Sequence, residues 1–305
     1  MVKHYNIIEG KIVQSESEDS PVSVYFSPTE AEKNLLTTTM TIDEHTLNSA
    51  LDPDELSRFE IEPDHFALII KRPKKYSAED NFLFRVMSMG MFMYQNKIII
   101  VAEEEFPLFD DKRFQRIRSL RDLMLKLVNR SVGHFIEHLR VINRISDELE
   151  THINDAMENK YLHYMFALEK SLVYYLNAIS ANTNLIQKLK NYDTRLGFDS
   201  DEKEFLDDLM IENQQCFRQA EIYNSILGGM MDARATIVGN NLNMLMKTLN
   251  IITLGIMVPT LVVSAFSMNV RIPLQGFHNA FWVVMGLAAT SVVCFLLFWH
   301  YKQKQ

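Results

Sequence analysis

The sequence predicts an α+β membrane protein with a cytoplasmic N-terminal α/β domain, a long helical stalk and two C-terminal transmembrane helices. Three observations predict this fold class. Short runs rich in β-branched and aromatic residues occur before residue 115, apolar residues recur at helical spacing after it, and the C-terminal part is nearly uncharged. The chain carries 31 Lys+Arg and 39 Asp+Glu, yet Arg271 is the only formally charged residue between Lys247 and Lys302.

Residues 1–115 are predicted to form the α/β domain. Strands are typically short runs of β-branched and aromatic residues bounded by polar or proline-containing segments, and three such runs stand out. They are Phe66–Ile70, Phe82–Met89 and Lys97–Val101. The segments between and before them predict turns and short helices.

Residues 116–248 are predicted to form the stalk. From Phe114 onward, apolar residues recur three and four positions apart, and Glu, Lys, Arg, Leu and Met dominate, which is typical of long helices. The only clear break contains Gly197, where Asp199 followed three residues later by Glu202 predicts a capped helix start. No stop signal follows between residues 201 and 268, so the last helix is predicted to continue into the membrane.

Two uncharged segments, 249–268 and 280–299, are each 20 residues long, which is the length that crosses a bilayer as a helix. A hairpin of buried core helices is the alternative, but globular helices rarely run that far without a charged face. Lysines precede the first segment and follow the second. The loop at 269–279 is therefore predicted to face outward, and the basic tail at 300–305 to face the cytoplasm. The prediction is a multi-pass protein of the cell's inner membrane with both termini cytoplasmic.

Composition excludes some classes of function. The net charge of -8 argues against nucleic acid as a partner, because binding to phosphates needs a basic face. The two cysteines are Cys216 and Cys294, and the second lies in a predicted membrane span, so no disulfide framework is expected. The chain has no Gly-rich phosphate loop and no nucleophile motif, and no organic cofactor is expected.

One face of the last predicted helix is polar. Steps of three and four residues collect Asp232, Thr236, Gly239, Asn243, Met246, Asn250, Thr253, Met257, Thr260, Ser264 and Ser267. All five polar side chains between Asn250 and Ser267 fall on this face, and the opposite face is Ile, Leu, Val and Phe. Tight packing is one interpretation, since small and polar residues are favoured where membrane helices meet. A water-filled pore lined by several copies of the helix is the other, and it predicts a stripe continuous across the membrane.

The outer end of this polar face carries a family resemblance. The run Phe266-Ser267-Met268-Asn269 resembles the signature of the CorA family of divalent-cation channels, an aromatic residue followed by Gly-Met-Asn at the end of the first membrane helix. The segment from Asn243 to Asn269 is similar to the family's pore helix, and Asp232 is similar to the acidic residue at its cytoplasmic pore mouth. Two features depart from the family pattern: Ser267 replaces the signature glycine, and the following loop carries Arg271 and no carboxylate.

The resemblance implies a homopentamer in membrane lipid that conducts a divalent cation, magnesium first of all, and that is not an enzyme. It implies no cofactor beyond transported and regulatory Mg²⁺. Ser267, Met268 and Asn269 would select the ion at the outer mouth, where the Asn269 side-chain carbonyls accept hydrogen bonds from its hydration shell. Further polar rings are expected at Thr260, Thr253, Asn250 and Asn243, and apolar constrictions at Met246, Leu249 and Met257.

Acidic clusters in the soluble part are candidate regulatory cation sites between subunits, because hard divalent cations prefer carboxylate ligands. The candidates are Asp52, Asp54, Glu55, Glu104 and Asp110. Ordinary solvated surface is the alternative for each cluster.

Three other functions stay open from the sequence. The same scaffold could transport zinc, cobalt or nickel, or the polar face could merely pack in a non-conducting membrane sensor or scaffold. The third is a membrane-anchored zinc peptidase, since His134, Glu137 and His138 form an H-x-x-E-H pattern. That pattern is short and lies in a charged amphipathic helix, so a solvated helix face is the simpler interpretation.

Overall fold

The computed structural model describes residues 1–77, 80–153, 159–268, 270, 276 and 278–303. The chain divides into two compact units, Met1–Met231 and Asp232–Gln305. The first unit contains a seven-stranded sheet and most of the helices, and the second contains the two apolar C-terminal helical segments.

The sheet has the strand order β2-β1-β3-β7-β6-β5-β4. Its strands are β1 (Val2–Ile8), β2 (Lys11–Ser15), β3 (Val22–Phe26), β4 (Arg58–Ile61), β5 (Phe66–Pro73), β6 (Val86–Met93) and β7 (Ile98–Ala102). Neighbouring strands are antiparallel except β3 and β7, which are parallel. The three predicted runs correspond to β5, β6 and β7, although the second run begins at residue 82, four residues before β6. Strands β1 to β4 were not singled out from the sequence.

Seven α-helices accompany the sheet in the described part of the chain. They are α1 (Glu30–Thr38), α2 (Glu44–Leu51), α3 (Leu120–Ile153), α4 (Asn159–Asn191), α5 (Asp193–Leu196), α6 (Ser200–Phe266) and α7 (Ala280–Gln303). A short 3₁₀ helix (Lys112–Gln115) precedes α3.

The predicted start of the last helix is confirmed. Gly197 has φ 68°, and a side chain is strained in this left-handed conformation. The Glu202 N–H donates to the Asp199 carboxylate at 2.8 Å, and the Asp199 N–H donates to the Glu202 carboxylate at 3.1 Å. This reciprocal pair satisfies two backbone donors at the start of α6.

The prediction that Gly197 lies in the only clear break of the helical part is wrong. Helices α3 and α4 are separate elements that pack side by side, with a hydrogen bond of 2.6 Å between His138 Nδ1 and the Tyr175 hydroxyl. The residues that connect them, 154–158, lie outside the described residues. Both helices bury apolar residues at helical spacing, so periodicity alone gave no reason to divide them.

The sheet is covered on both faces. Alternate side chains of β5 point in opposite directions, so Ala67 and Ile69 join the core beneath α2, whereas Leu68 and Ile70 join the core shared with α3, α4 and α6. Because the sheet and these helices share one core, the predicted boundary at residue 115 falls inside the first unit.

A buried asparagine joins the helical layer to the sheet. Strand β4 pairs with β5 only as far as Ile69, and Asn182 of α4 takes over at Lys71. The Lys71 N–H donates to Asn182 Oδ1 at 3.0 Å, and Asn182 Nδ2 donates to the Lys71 carbonyl at 2.9 Å. The Ser57 hydroxyl also donates to Asn182 Oδ1 at 2.6 Å. The Asn182 side chain therefore replaces a strand neighbour.

We predict that Asn182→Ala destabilises the first unit, because it leaves two buried backbone groups of Lys71 without partners. The expected cost is about 2–5 kcal/mol, which lowers the unfolding midpoint of the full chain in detergent by roughly 5–10 °C. Asn191→Ala is the matched control, since that exposed side chain only accepts from Gln187 in the same helix. Equal midpoints for the two variants would contradict the assigned role.

Candidate functional site

Two helices of the described chain are long and apolar enough to cross a membrane, the C-terminal part of α6 and nearly all of α7. The most apolar 18 residues of each segment are almost entirely exposed, with 0% of them buried in α6 and 6% in α7. This exposure excludes the alternative of two buried core helices. The first predicted span ended at Met268, and α6 ends two residues earlier, at Phe266. The second began at Ala280, as α7 does, and α7 continues beyond Trp299 to Gln303.

Helix α7 packs against one face of the membrane part of α6. The half-buried residues of α6 in this part are Ile251, Gly255, Val258, Pro259, Val262 and Phe266. A Cβ atom placed on Gly255 would lie 3.7 Å from Phe295 Cε1, so the small residue lets α7 approach closely. At the other end, the Lys247 ammonium lies 5.9 Å from the centre of the Trp299 ring.

The predicted polar stripe lies on the opposite face of α6. At about 100° per residue, the stripe positions are centred roughly half a turn away from the residues that α7 covers. The described stripe residues are all exposed in the single chain, and so is Leu249. They are Asp232, Thr236, Gly239, Asn243, Met246, Asn250, Thr253, Met257, Thr260, Ser264 and Ser267. The fold thus keeps the intramolecular contact of α6 away from its polar face.

The stripe threonines donate their hydroxyl protons to their own helix. Thr253 Oγ1 donates to the Leu249 carbonyl at 2.9 Å, and Thr260 Oγ1 donates to the Ile256 carbonyl at 2.6 Å. Thr236 does the same toward the Asp232 carbonyl at 3.0 Å. A hydroxyl whose proton is already used offers only oxygen lone pairs to its surroundings. These threonines therefore present acceptors, which suit a cation or the water molecules around it.

The structure shows only part of the predicted outer mouth. The Ser267 N–H and Oγ both donate to the Ser264 carbonyl, at 3.1 and 3.0 Å, which closes the last turn of α6. Met268 is exposed. Asn269, on which the predicted ring of amide oxygens depends, lies outside the described residues, as does Arg271. The roles of Ser267, Met268 and Asn269 in ion selection stay predictions.

Comparison with known proteins decides the family. The family model described as CorA-like Mg2+ transporter protein matches residues 24–302. This chain belongs to that family. The predicted family is confirmed, and the protein is a CorA-like membrane transporter of divalent cations and not an enzyme.

Individual relatives agree with this assignment. The Cobalt/magnesium transport protein CorA of Methanocaldococcus jannaschii is 23% identical over 312 residues, which cover 97% of this chain and 95% of the relative. The complete structure of the CorA magnesium transporter from the same organism superposes with a TM-score of 0.81 at 20% identity, covering 97% of this chain and 96% of the other. The ZntB cytoplasmic domain from Vibrio parahaemolyticus gives 0.62 at 15% identity, covering 78% and 98%. The predicted fold class is confirmed.

The candidate regulatory carboxylates of this CorA-like protein do not form a metal site within one chain. No group of three or more His, Cys, Asp or Glu side chains suited to a metal comes together among the described residues. Glu104 accepts from Arg72 at 3.2 Å, and Glu55 lies 3.8 Å from Arg58. Regulatory binding by Asp52, Asp54, Glu55, Glu104 or Asp110 therefore stays a prediction for the assembled protein.

A buried lysine lies beside the first of these clusters. Lys71 is 4% exposed, and its ammonium donates to the Pro53 carbonyl at 2.7 Å and to Ser88 Oγ at 2.8 Å. Burial lowers the pKa of Lys71 to about 8, while the carboxylates of residues 52, 54 and 55 act in the opposite direction. A cationic side chain thus already neutralises part of this acidic cluster.

The histidine pair of the H-x-x-E-H pattern lies inside the first unit. Burial lowers the pKa of His134 to about 3 and that of His138 to about 4, so both imidazoles are neutral. His138 is hydrogen-bonded to Tyr175, whereas Glu137 is exposed. The expectation of a solvated helix face is wrong for the histidines, because their side of α3 packs against α4 and the sheet.

Several polar residues that shape this protein were not identified from the sequence. Lys71, Arg72 and Asn182 read as ordinary polar positions, since buried charges and amides carry no periodic signal of their own. Gly255 offered a weak signal, a small residue within an apolar helix.

We predict that Lys71 makes stability depend on pH above neutrality. Its pKa is lower in the folded chain than the ordinary value near 10.4. Above a pH of about 8, the unfolded chain therefore keeps a proton on Lys71 that the folded chain has lost. Stability from this group therefore increases with pH up to about 10. The unfolding midpoint of wild type minus that of Lys71→Met should increase between pH of about 7 and about 9.5. Lys11→Met, at an exposed position of β2, is the control. If the midpoint difference between wild type and Lys71→Met stays constant over this pH range, the assignment is refuted.

Proposed function

We propose that this CorA-like protein is a magnesium channel in which several copies, five being favoured, surround a central pore lined by the stripe of α6. The observation that carries the proposal is the position of the polar residues between Asn250 and Ser267. They lie on the exposed face opposite α7, and the threonine hydroxyls among them donate to their own backbone. A face of this kind matches a hydrated cation better than it matches lipid.

Several copies are needed because the apolar surface of α6 can face lipid, whereas its polar stripe must face water. Lipid can cover the exposed apolar residues of α6, but it offers no hydrogen-bonding partners to Asn250 or Thr253. One stripe cannot enclose water by itself. Copies arranged around an axis bring the stripes together, and the side chains beside each stripe, such as Leu245 and Ile256, would then pack between copies.

Charge along the stripe supports a cation as the transported ion. Asp232 opens the stripe, and asparagine amides follow at Asn243 and Asn250. Lys247 is not on the stripe, and its ammonium is held over Trp299 of α7. Mg²⁺ gives up its water reluctantly, so acceptors that bind its hydration shell suit it. Apolar rings of Met246, Leu249 and Met257 would gate the pore by excluding water.

The proposed topology places the first unit and both termini in the cytoplasm and residues 269–279 outside the inner membrane. The lysines that flank the two spans support it, and the first unit shares its fold with a protein described as a cytoplasmic domain. The membrane potential then drives a divalent cation inward with about 4.6 kcal/mol per 100 mV.

A zinc, cobalt or nickel transporter is the second candidate, because the curated relative is named for both cobalt and magnesium. The ligand chemistry of the stripe favours magnesium. Its polar groups are hydroxyl, amide and carboxylate oxygens, with no histidine or cysteine among them.

The deciding experiment is a flux assay on the purified chain in liposomes, with Mg²⁺, Co²⁺, Ni²⁺ and Zn²⁺ competing, combined with native mass spectrometry. We expect saturable Mg²⁺ uptake by a closed homo-oligomer. A stable monomer would refute the pore, absence of any flux would favour a sensor or scaffold, and preference for a softer ion would reassign the substrate.

We predict that Thr253→Val and Thr260→Val each reduce Mg²⁺ flux by about tenfold, because each change removes an oxygen acceptor from every copy around the pore. Valine keeps the shape, so expression and assembly should persist. Thr248→Val is the matched control. That hydroxyl makes the same bond to a backbone carbonyl, Met244 at 2.9 Å, but lies off the stripe. Equal flux in all three variants would show that the stripe does not line the ion path.

We predict that Asn269→Ala abolishes Mg²⁺ uptake while native mass spectrometry still gives the wild-type oligomer. The change removes one amide from each subunit at the outer mouth, so a weak contact is lost several times over. Gln275→Ala removes an amide from the same loop and should transport normally. Wild-type uptake by Asn269→Ala would place ion selection elsewhere.

A further inference from the structure

A basic cavity of about 210 Å³ lies in the first unit, between the end of β5, helix α3 and the segment that follows β7. Phe106, Leu127 and neighbouring apolar side chains form its walls. Four nitrogen-bearing side chains also line it: Arg72, Lys75, Arg130 and His134. The CorA-like transport function described above makes no use of this cavity.

Arg72 is the most buried of these four side chains. It is 4% exposed, and its guanidinium lies 3.8 Å from the centre of the Phe106 ring. Its Nη2 donates to Glu104 at 3.2 Å, whereas its Nε has no hydrogen-bond partner among the described residues. Glu104 balances the charge of Arg72, so a further anion must be held by the other two cations.

Arg130 and Lys75 supply that uncompensated charge. Arg130 donates to the carbonyls of Pro107 and Leu108, which fix the guanidinium without neutralising it. Neither Arg130 nor Lys75 has a carboxylate within ion-pair distance in the described part of the chain. Asp111 is already paired with a different arginine, because its carboxylate lies 3.5 Å from Arg113 Nε.

The carboxylates near the cavity weaken its positive electrostatic potential but do not cancel it. Asp111, Asp110 and Glu137 attract Arg130 from beyond ion-pair distance. The net effect inside the cavity is positive, because Arg72 and Arg130 add to burial and to His138 in lowering the pKa of His134. A neutral imidazole in that position can still donate one hydrogen bond.

We propose that this cavity binds the phosphate group of a small molecule, either inorganic phosphate or a phosphate monoester. A dianion balances Arg130 and Lys75 together, and guanidinium groups match the oxygen geometry of phosphate. The apolar walls exclude water and strengthen each charged hydrogen bond. Because β5, α3 and the segment after β7 all contribute to the cavity, the bound phosphate stabilises the contact among them.

The test measures binding to the full chain in detergent, in magnesium-free buffer at constant ionic strength, by isothermal titration calorimetry. The probes are inorganic phosphate, glycerol 3-phosphate and acetate. We expect one saturable site per chain for a phosphate probe and at least tenfold weaker binding of acetate. Similar affinity for the two phosphate probes identifies the free ion as sufficient, and tighter binding of the monoester identifies an organic ligand. No saturable phosphate binding overturns the proposal.

Variants separate this site from general charge effects. Lys75 is exposed, and its side chain makes no hydrogen bond or ion pair among the described residues, so Lys75→Ala should fold normally and weaken phosphate binding about tenfold. Lys74→Ala removes the same charge one position away and outside the cavity, and it should bind as wild type does. Arg130→Lys keeps the positive charge but loses the paired N–H donors of the guanidinium, so it should also weaken phosphate binding. Equal affinities for Lys74→Ala and Lys75→Ala would overturn the proposal, whether or not the protein conducts magnesium.

Discussion

The organisation of the C-terminal unit depends on one constraint: lipid cannot satisfy a polar side chain or an exposed backbone group. In α6 the backbone is satisfied by the helix, and the polar side chains are confined to one face. Helix α7 packs on the other face, around Gly255 and Phe295. The single chain therefore leaves its polar face uncovered, and that face needs either water or other copies of the same helix.

The first unit meets a similar constraint within a protein core. Lys71 and Arg72 are consecutive residues of β5, so their side chains enter opposite faces of the sheet. Lys71 is held by a carbonyl and a hydroxyl beneath α2, and Arg72 by Glu104 and Phe106 on the side of α3. The Asn182 side chain of α4 pairs with the backbone of Lys71 at the same point of the strand. Buried polar groups thus fix the register of the helices on the sheet, because leaving any of them unpaired is costly.

Much of the fold could be predicted from residue patterns, and the gaps have identifiable causes. Strands β5 to β7 are buried on both faces, so β7 is a continuous apolar run and β5 and β6 are largely apolar. Strand β1 is half-buried, β4 has four residues, and the β1–β2 turn uses Glu9-Gly10, both at positive φ, in place of a common turn pair such as Asn-Gly. The separation of α3 from α4 was missed because both helices carry the same apolar spacing.

The two membrane spans, the polar stripe and the family could be recognised from the chain's residues alone, because helical periodicity, hydropathy and the run Phe266–Asn269 are local properties. The folded chain was needed to see which face of α6 is covered by α7 and which carboxylates are already paired with arginines. It was also needed to see that His134 lies beside Arg72 and Arg130. These are contacts between residues far apart along the chain, and their partners follow from packing, which no local pattern encodes.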